Sequence, residues 1–236
     1  MARRRRDRQA RKQERAARTE AKVAKAVAVP GLTVVVAGLS LFTLVVPFLY
    51  FDALADASSI PRWTLLEFGA PALCAWVFYC WWQRGRKSEL VIPLLFFPGA
   101  ILLGTALLTC TWAIDRHEAI NWTYHHIAMV FLGGLAAYAT YHRPRDLPYR
   151  LAQLAVIACV GESLIGLTQY FGGLKDVFFQ NEIPAATMVH RNAFAQYLDS
   201  IIAPAVLLVF AATTWKRMLF WGTACVLIVA SLIATT

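Results

Sequence analysis

The sequence predicts an all-α polytopic membrane helix bundle of about seven transmembrane helices with a cytoplasmic N-terminus. Three observations lead there. Of the 236 residues 58% are hydrophobic and 16% charged, with a mean hydropathy of +0.52, against about 45–50% apolar and about 25% charged in soluble domains. Apolar runs of about 20 residues, the length that crosses a bilayer as a helix, recur from residue 26 onwards. The Lys and Arg residues fall mostly on alternate connections between those runs.

Residues 1–25 hold 11 of the 23 Lys and Arg and no aromatic residue, Leu or Ile. Such a segment has almost nothing to bury, so a solvated, disordered cytoplasmic tail is expected, able to meet the headgroups of anionic membrane lipids. The run 26–50 is too long for a signal-peptide core and is read as a retained first span. Six more runs follow at 62–82, 90–114, 122–141, 151–171, 193–214 and 218–236, making 26–236 one transmembrane helical domain. With the N-terminus inside, the inner segments carry the tail's cations plus Arg84, Arg86, Lys87, Arg143, Arg145, Arg150, Lys216 and Arg217, which is 19 in all. The outer segments carry 4, namely Arg62, Arg116, Lys175 and Arg191. That asymmetry is the positive-inside pattern, and Trp82, Trp112, Trp122, Tyr141, Tyr149 and Trp215 stand near span ends, where amphipathic rings suit the headgroup layer. One connection is long, 172–192, and its apolar aromatics beside charges suggest an outer segment lying in the interface.

The net charge of +9 belongs to the tail and not to a folded face, so no nucleic-acid partner is expected. Cys74, Cys80, Cys110, Cys159 and Cys225 sit in apolar runs and show neither a disulfide framework nor a zinc spacing. Walker-type loops, G-x-S-x-G, H-E-x-x-H and C-x-x-C are missing, which argues against soluble-type hydrolase and nucleotide chemistry. No cofactor and no metal are expected; His125 and His126 are adjacent, about 100° apart on a helix, and cannot face one ion from a single stripe.

What remains are ionisable groups within the membrane, each a functional candidate by default. Glu162 and Asp199 read as buried ionisable residues, with Glu67 near an outer end. They would serve a proton or ion path, or stand protonated or paired with a hydroxyl such as Ser163. Asp115, Arg116, His117 and Glu118 read as solvated charges at an outer span end. Arg191, flanked by His190 and Asn192 directly before a span, stands on the low-charge side. Its planar five-donor fork suits phosphate oxygens, and with the N–H groups of a helix start it would form an anion site. The other reading is a cation that snorkels to lipid headgroups.

At these residues the chain resembles a known family. The stretch 185–198, A-A-T-M-V-H-R-N-A-F-A-Q-Y-L, is similar to the T-G-T-F-V-N-R-N-H-F-A-G-Y-L signature of the O-antigen ligase and O-antigen polymerase family of bacterial inner-membrane proteins. Residues 166–171, G-L-T-Q-Y-F, resemble the family's G-L-Y-Q-Y-F span end, and Thr111, Trp112, Asp115 and Ala119 resemble its S-x-x-W-S-x-D-x-x-x-A turn. The carry-over is limited to Thr187, Val189, Arg191, Asn192, Phe194, Ala195, Tyr197 and Leu198. Ala186 stands where the signature has Gly, Met188 where it has Phe and His190 where it has Asn, and Ile183-Pro184 lie where many members carry an Arg.

The resemblance implies a multi-pass protein of the bacterial inner (cytoplasmic) membrane. Its work would be glycosyl transfer from undecaprenyl pyrophosphate at the outer face, in lipopolysaccharide or exopolysaccharide biosynthesis. Thr187, Arg191 and Asn192 would bind the pyrophosphate of the lipid-linked oligosaccharide, supported by His190, Lys175 and Gln169. The family's Ser-Arg-Gly motif and outer-loop His would follow where the sequence ends at Ala234-Thr235-Thr236, so the resemblance covers an N-terminal portion and leaves the catalytic residues unknown. Two readings from other classes stand beside it: a non-catalytic scaffold or assembly factor with membrane-protein partners, and a small proton-coupled transporter.

Overall fold

A computed structural model describes residues 29, 31–50, 59–83, 96–144, 146–174, 177, 184–188 and 190–235. The expected tail, 1–25, and Lys175 lie outside them. Among the described residues the chain is all-helical with no strand. Its helices are α1 (Leu32–Val45), α2 (Ser59–Gln83), α3 (Phe96–Thr109), α4 (Arg116–His142), α5 (Asp146–Tyr170), α6 (Arg191–Phe210) and α7 (Trp215–Ala234), and a 3-10 turn, Val46–Phe48, follows α1.

Each expected span overlaps a helix, and the boundaries differ for local reasons. α1 starts at Leu32 because Gly31 before it takes a left-handed φ of 66°, a conformation glycine adopts without strain. α3 stops at Thr109, and Asp115 then opens α4 by accepting the Glu118 N–H at 3.0 Å, so α4 begins six residues before the expected span. Thr214 opens α7 in the same way, through the Arg217 N–H at 3.4 Å.

Four helices are long and apolar enough to cross a membrane: Pro61–Gln83, Asp146–Tyr170, Arg191–Phe210 and Trp215–Ala234. α1 and α3 have 14 residues each, about 21 Å at 1.5 Å per residue, short of a hydrocarbon core of about 30 Å. α4 has the length, but Arg116, His117, Glu118, His125 and His126 dilute its apolar character. Large side chains such as Ile101, Leu207, Phe210 and Val226 stand exposed on these helices, as they do where lipid is the solvent.

Two buried clusters organise the bundle. One joins α1, α2, α4 and the start of α5 through Leu32, Val35, Leu39, Ala70, Val77, Leu135, Ala139 and Leu147. The other joins α5, α6 and α7 through Val156, Cys159, Phe194, Leu198, Leu208, Trp221 and Ile228. α5 packs against α1 on one side and against α6 and α7 on the other, so it forms the seam between the halves. All five cysteines are free thiols.

Candidate functional site

The seam is closed at one end by the short segment Ala185–Met188, which leads into α6. Non-helical backbone inside a bundle needs hydrogen-bond partners, because no water replaces them. Here buried side chains supply them. Gln169 Oε1 accepts from Ala186 N at 2.8 Å and from Ala185 N at 3.2 Å, while its Nε2 donates to Ala186 O at 3.0 Å. Glu162 Oε2 accepts from Thr187 N at 3.2 Å and Oε1 from Thr187 Oγ1 at 2.8 Å. Met188 N closes a turn onto Ala185 O at 2.9 Å.

Glu162 and Gln169 are seven residues apart, so they share one face of α5 about 10.5 Å apart along its axis. Both are fully buried. Their side chains converge on three consecutive residues. Ala186, which stands where the resembled signature has glycine, takes a φ of 50°; the two-way contact with Gln169 holds a non-glycine residue in this left-handed conformation.

The other half of the bundle reaches the same segment through Arg62, in the first turn of α2. Its Nη2 donates to Thr187 Oγ1 at 2.7 Å, to Thr187 O at 3.0 Å and to Pro47 O at 2.5 Å. Thr187 is thus the centre of a clasp linking the end of α1, the start of α2 and the middle of α5. The Tyr197 hydroxyl of α6 is also buried, without a hydrogen-bond partner among the described residues.

α6 starts four residues after Thr187. Arg191 is its first residue and is partly buried, while His190 and Asn192 are exposed. His190 occupies the cap position without a side-chain hydrogen bond to the helix, and no acidic residue lies in the first turn. A cation at the positive end of a 20-residue helix is unfavourable by about 0.3–1 kcal/mol unless an anion joins it.

Several readings of the sequence change. Thr187 is buried, with its hydroxyl committed to Glu162, Pro47 and Arg62, so it holds the segment together instead of facing a ligand. Gln169 acts on the backbone beside Thr187. Pro184 to Met188 are buried in protein rather than laid in the interface. Glu162 is buried as expected, but its partner is Thr187 and not Ser163, whose Oγ has no partner among the described residues. Ser163 is one residue on, about 100° around the helix. Asp199 is exposed and not buried: the inward stripe of α6 is Phe194, Leu198, Ala205 and Leu208, and Asp199 lies on the opposite side of the helix.

Two features are not apparent in the sequence. Arg62, by its place in the chain an outer charge, binds Thr187. Glu67 and His125, 58 residues apart in the chain, meet with Oε1 and Nδ1 2.6 Å apart. The imidazole also stacks on Trp63, centroids 4.0 Å apart, and meets Trp122 edge-on at 5.6 Å. This pair ties α2 to α4. Glu67→Ala and His125→Ala should each lower stability in detergent by about 1–2 kcal/mol, read from the unfolding midpoint, and the double variant should lose little more than either.

Among the described residues no group of three or more His, Cys, Asp or Glu could hold a metal ion. Fold and site define an all-helical protein with helices fit to cross a membrane and a side-chain clasp that sets a basic helix start at one end of the seam. Comparison with protein-family models, with curated proteins and with solved structures finds no match.

Proposed function

We propose that this chain is the N-terminal part of a membrane-embedded glycosyltransferase resembling the O-antigen ligases and polymerases. It binds glycan linked to undecaprenyl pyrophosphate at the outer face of a bacterial inner membrane. In this reading all seven helices span as one multi-pass domain, α1 and α3 with flanking residues, the N-terminus is cytoplasmic and the basic tail meets anionic headgroups. The supporting observation is the clasp: Arg62, Glu162 and Gln169 fix Ala185–Thr187, and that segment fixes where α6 begins. Arg191 then offers a bidentate fork beside a helix N-terminus, two features that favour phosphate oxygens. In glycosyl transfer such a site would offset the charge of the leaving pyrophosphate.

The transporter reading has less to draw on. The Glu162 carboxylate already accepts two hydrogen bonds from Thr187, and Asp199 lies on the far side of α6 from it. A scaffold would not need a basic helix start held in place by the side chains of Arg62, Glu162 and Gln169.

Binding of undecaprenyl pyrophosphate to the purified chain in nanodiscs tests the proposal. Arg191→Ala should weaken it at least tenfold, and Arg191→Lys should recover only a small part, because an ammonium cannot make the two-pronged contact. Equal affinity in a folded Ala variant removes Arg191 from the site.

A further inference from the structure

A cleft between α5 and α7 takes no part in the clasp. Ile157 and Val160 of α5 and Lys216, Leu219, Thr223 and Leu227 of α7 line a volume of about 360 Å³. The α7 residues follow one another at intervals of three or four, so they form one stripe along that helix. The Thr223 hydroxyl donates to Leu219 O at 3.0 Å and is satisfied within its own helix. α5 and α7 are two of the four helices fit to cross a membrane. Ile157 and Leu219 stand exposed, so the cleft opens sideways, where lipid is the solvent. Lys216 and Leu227 are about 16 Å apart along the axis at 1.5 Å per residue, about half of a hydrocarbon core of about 30 Å. At the other extreme of the stripe from Leu227, Lys216 is the second residue of α7 and Arg217 follows it, with no acidic residue in the first turn. The cleft is therefore apolar over the depth of one leaflet and cationic at its mouth, where the helix N-terminus adds to the positive field.

We infer that this cleft binds an anionic phospholipid, with one acyl chain between α5 and α7 and the phosphate at Lys216. Charge and length select this occupant. Basic pockets between membrane helices take anionic headgroups, whereas a zwitterionic headgroup sets its own cation against Lys216 and Arg217. A polyprenyl chain outruns a cleft one leaflet deep. α6, about 30 Å long at 20 residues, separates this end of the bundle from Arg191, so the two sites are distinct. Other parts of the chain fit the cleft poorly. Residues 1–25 hold 11 Lys and Arg and no aromatic residue, Leu or Ile, so they neither fill it nor answer its charge. Residues 84–95 begin and end at α2 and α3, which pack on neither α5 nor α7. Residues 51–58 and 178–183 connect elements at the Thr187 end of the bundle, opposite Lys216.

The test places the full chain in nanodiscs with a trace of phospholipid that carries a photo-reactive group in one acyl chain. With phosphatidylglycerol, adducts should map to Ile157, Val160 and Leu227 and exceed those with phosphatidylcholine about fivefold. Adducts at Val229, exposed on the opposite side of α7, should be the same for both. Lys216→Glu should bring the phosphatidylglycerol adducts down to the phosphatidylcholine level, and Lys216→Arg should keep them. Thr223→Trp, a change at an exposed position that fills the cleft, should remove the adducts of both lipids there. Excess undecaprenyl pyrophosphate should not displace either lipid. Equal labelling with the two headgroups, labelling that Lys216→Glu does not reduce, or displacement by undecaprenyl pyrophosphate overturns the inference. So does a photo-reactive side chain at Thr223 that couples to residues 84–95 or to the tail instead of lipid.

Discussion

Glu162→Ala should lower the stability of the folded chain by about 3 kcal/mol, the scale for losing a buried, charge-assisted pair of hydrogen bonds and leaving their donors unsatisfied. Thr187 N and Oγ1 both lose their acceptor on α5, and Arg62 loses a carboxylate within its electrostatic reach. The loss should show as a lower unfolding midpoint in detergent or nanodiscs. Glu162→Gln should fall between, since its amide keeps one acceptor for the hydroxyl but turns an N–H group towards the Thr187 N–H. A midpoint unchanged in Glu162→Ala would mean that Ala185–Met188 is held by other contacts.

The second large effect is expected at Gly166. A Cβ built there lies 2.5 Å from Phe194 Cε1 and 2.7 Å from Cζ, far inside van der Waals contact. The ring has nowhere to go, because Phe194 is fully buried in the cluster between α5, α6 and α7. Gly166→Ala should therefore cost about 1–3 kcal/mol through overpacking, and Gly166→Leu should prevent α6 from docking. Phe194→Leu should recover part of the loss in Gly166→Ala, a coupling that unrelated destabilising changes do not show. The two sites of perturbation share a consequence. α6 starts where it does because the clasp holds its leading segment from above and Gly166 admits its first buried ring from the side.

Helix positions were legible because apolar runs of span length leave little choice. Their ends were less so, since a cap such as Asp115 or a left-handed Gly31 acts through one residue. Burial of Glu162 followed from its depth in an apolar run, but depth alone misled for Asp199. Inward or outward facing depends on helix phase relative to neighbours that the run itself does not identify. Arg62 shows the opposite difficulty. An arginine at a span end is ordinary in sequence, and only the fold brings it to Thr187, 125 residues away. Thr187 was singled out by resemblance, yet its hydroxyl is used up inside the protein. What could be read at Arg191 was its charge and its place at a helix start; what holds that start in place could not.

The most direct test is an experimental structure of the chain in lipid with undecaprenyl pyrophosphate. The account predicts diphosphate density within hydrogen-bond distance of the Arg191 guanidinium at the first turn of α6. Diphosphate bound elsewhere, or an Arg191 sealed off by neighbouring protein with no room for a ligand, would contradict it.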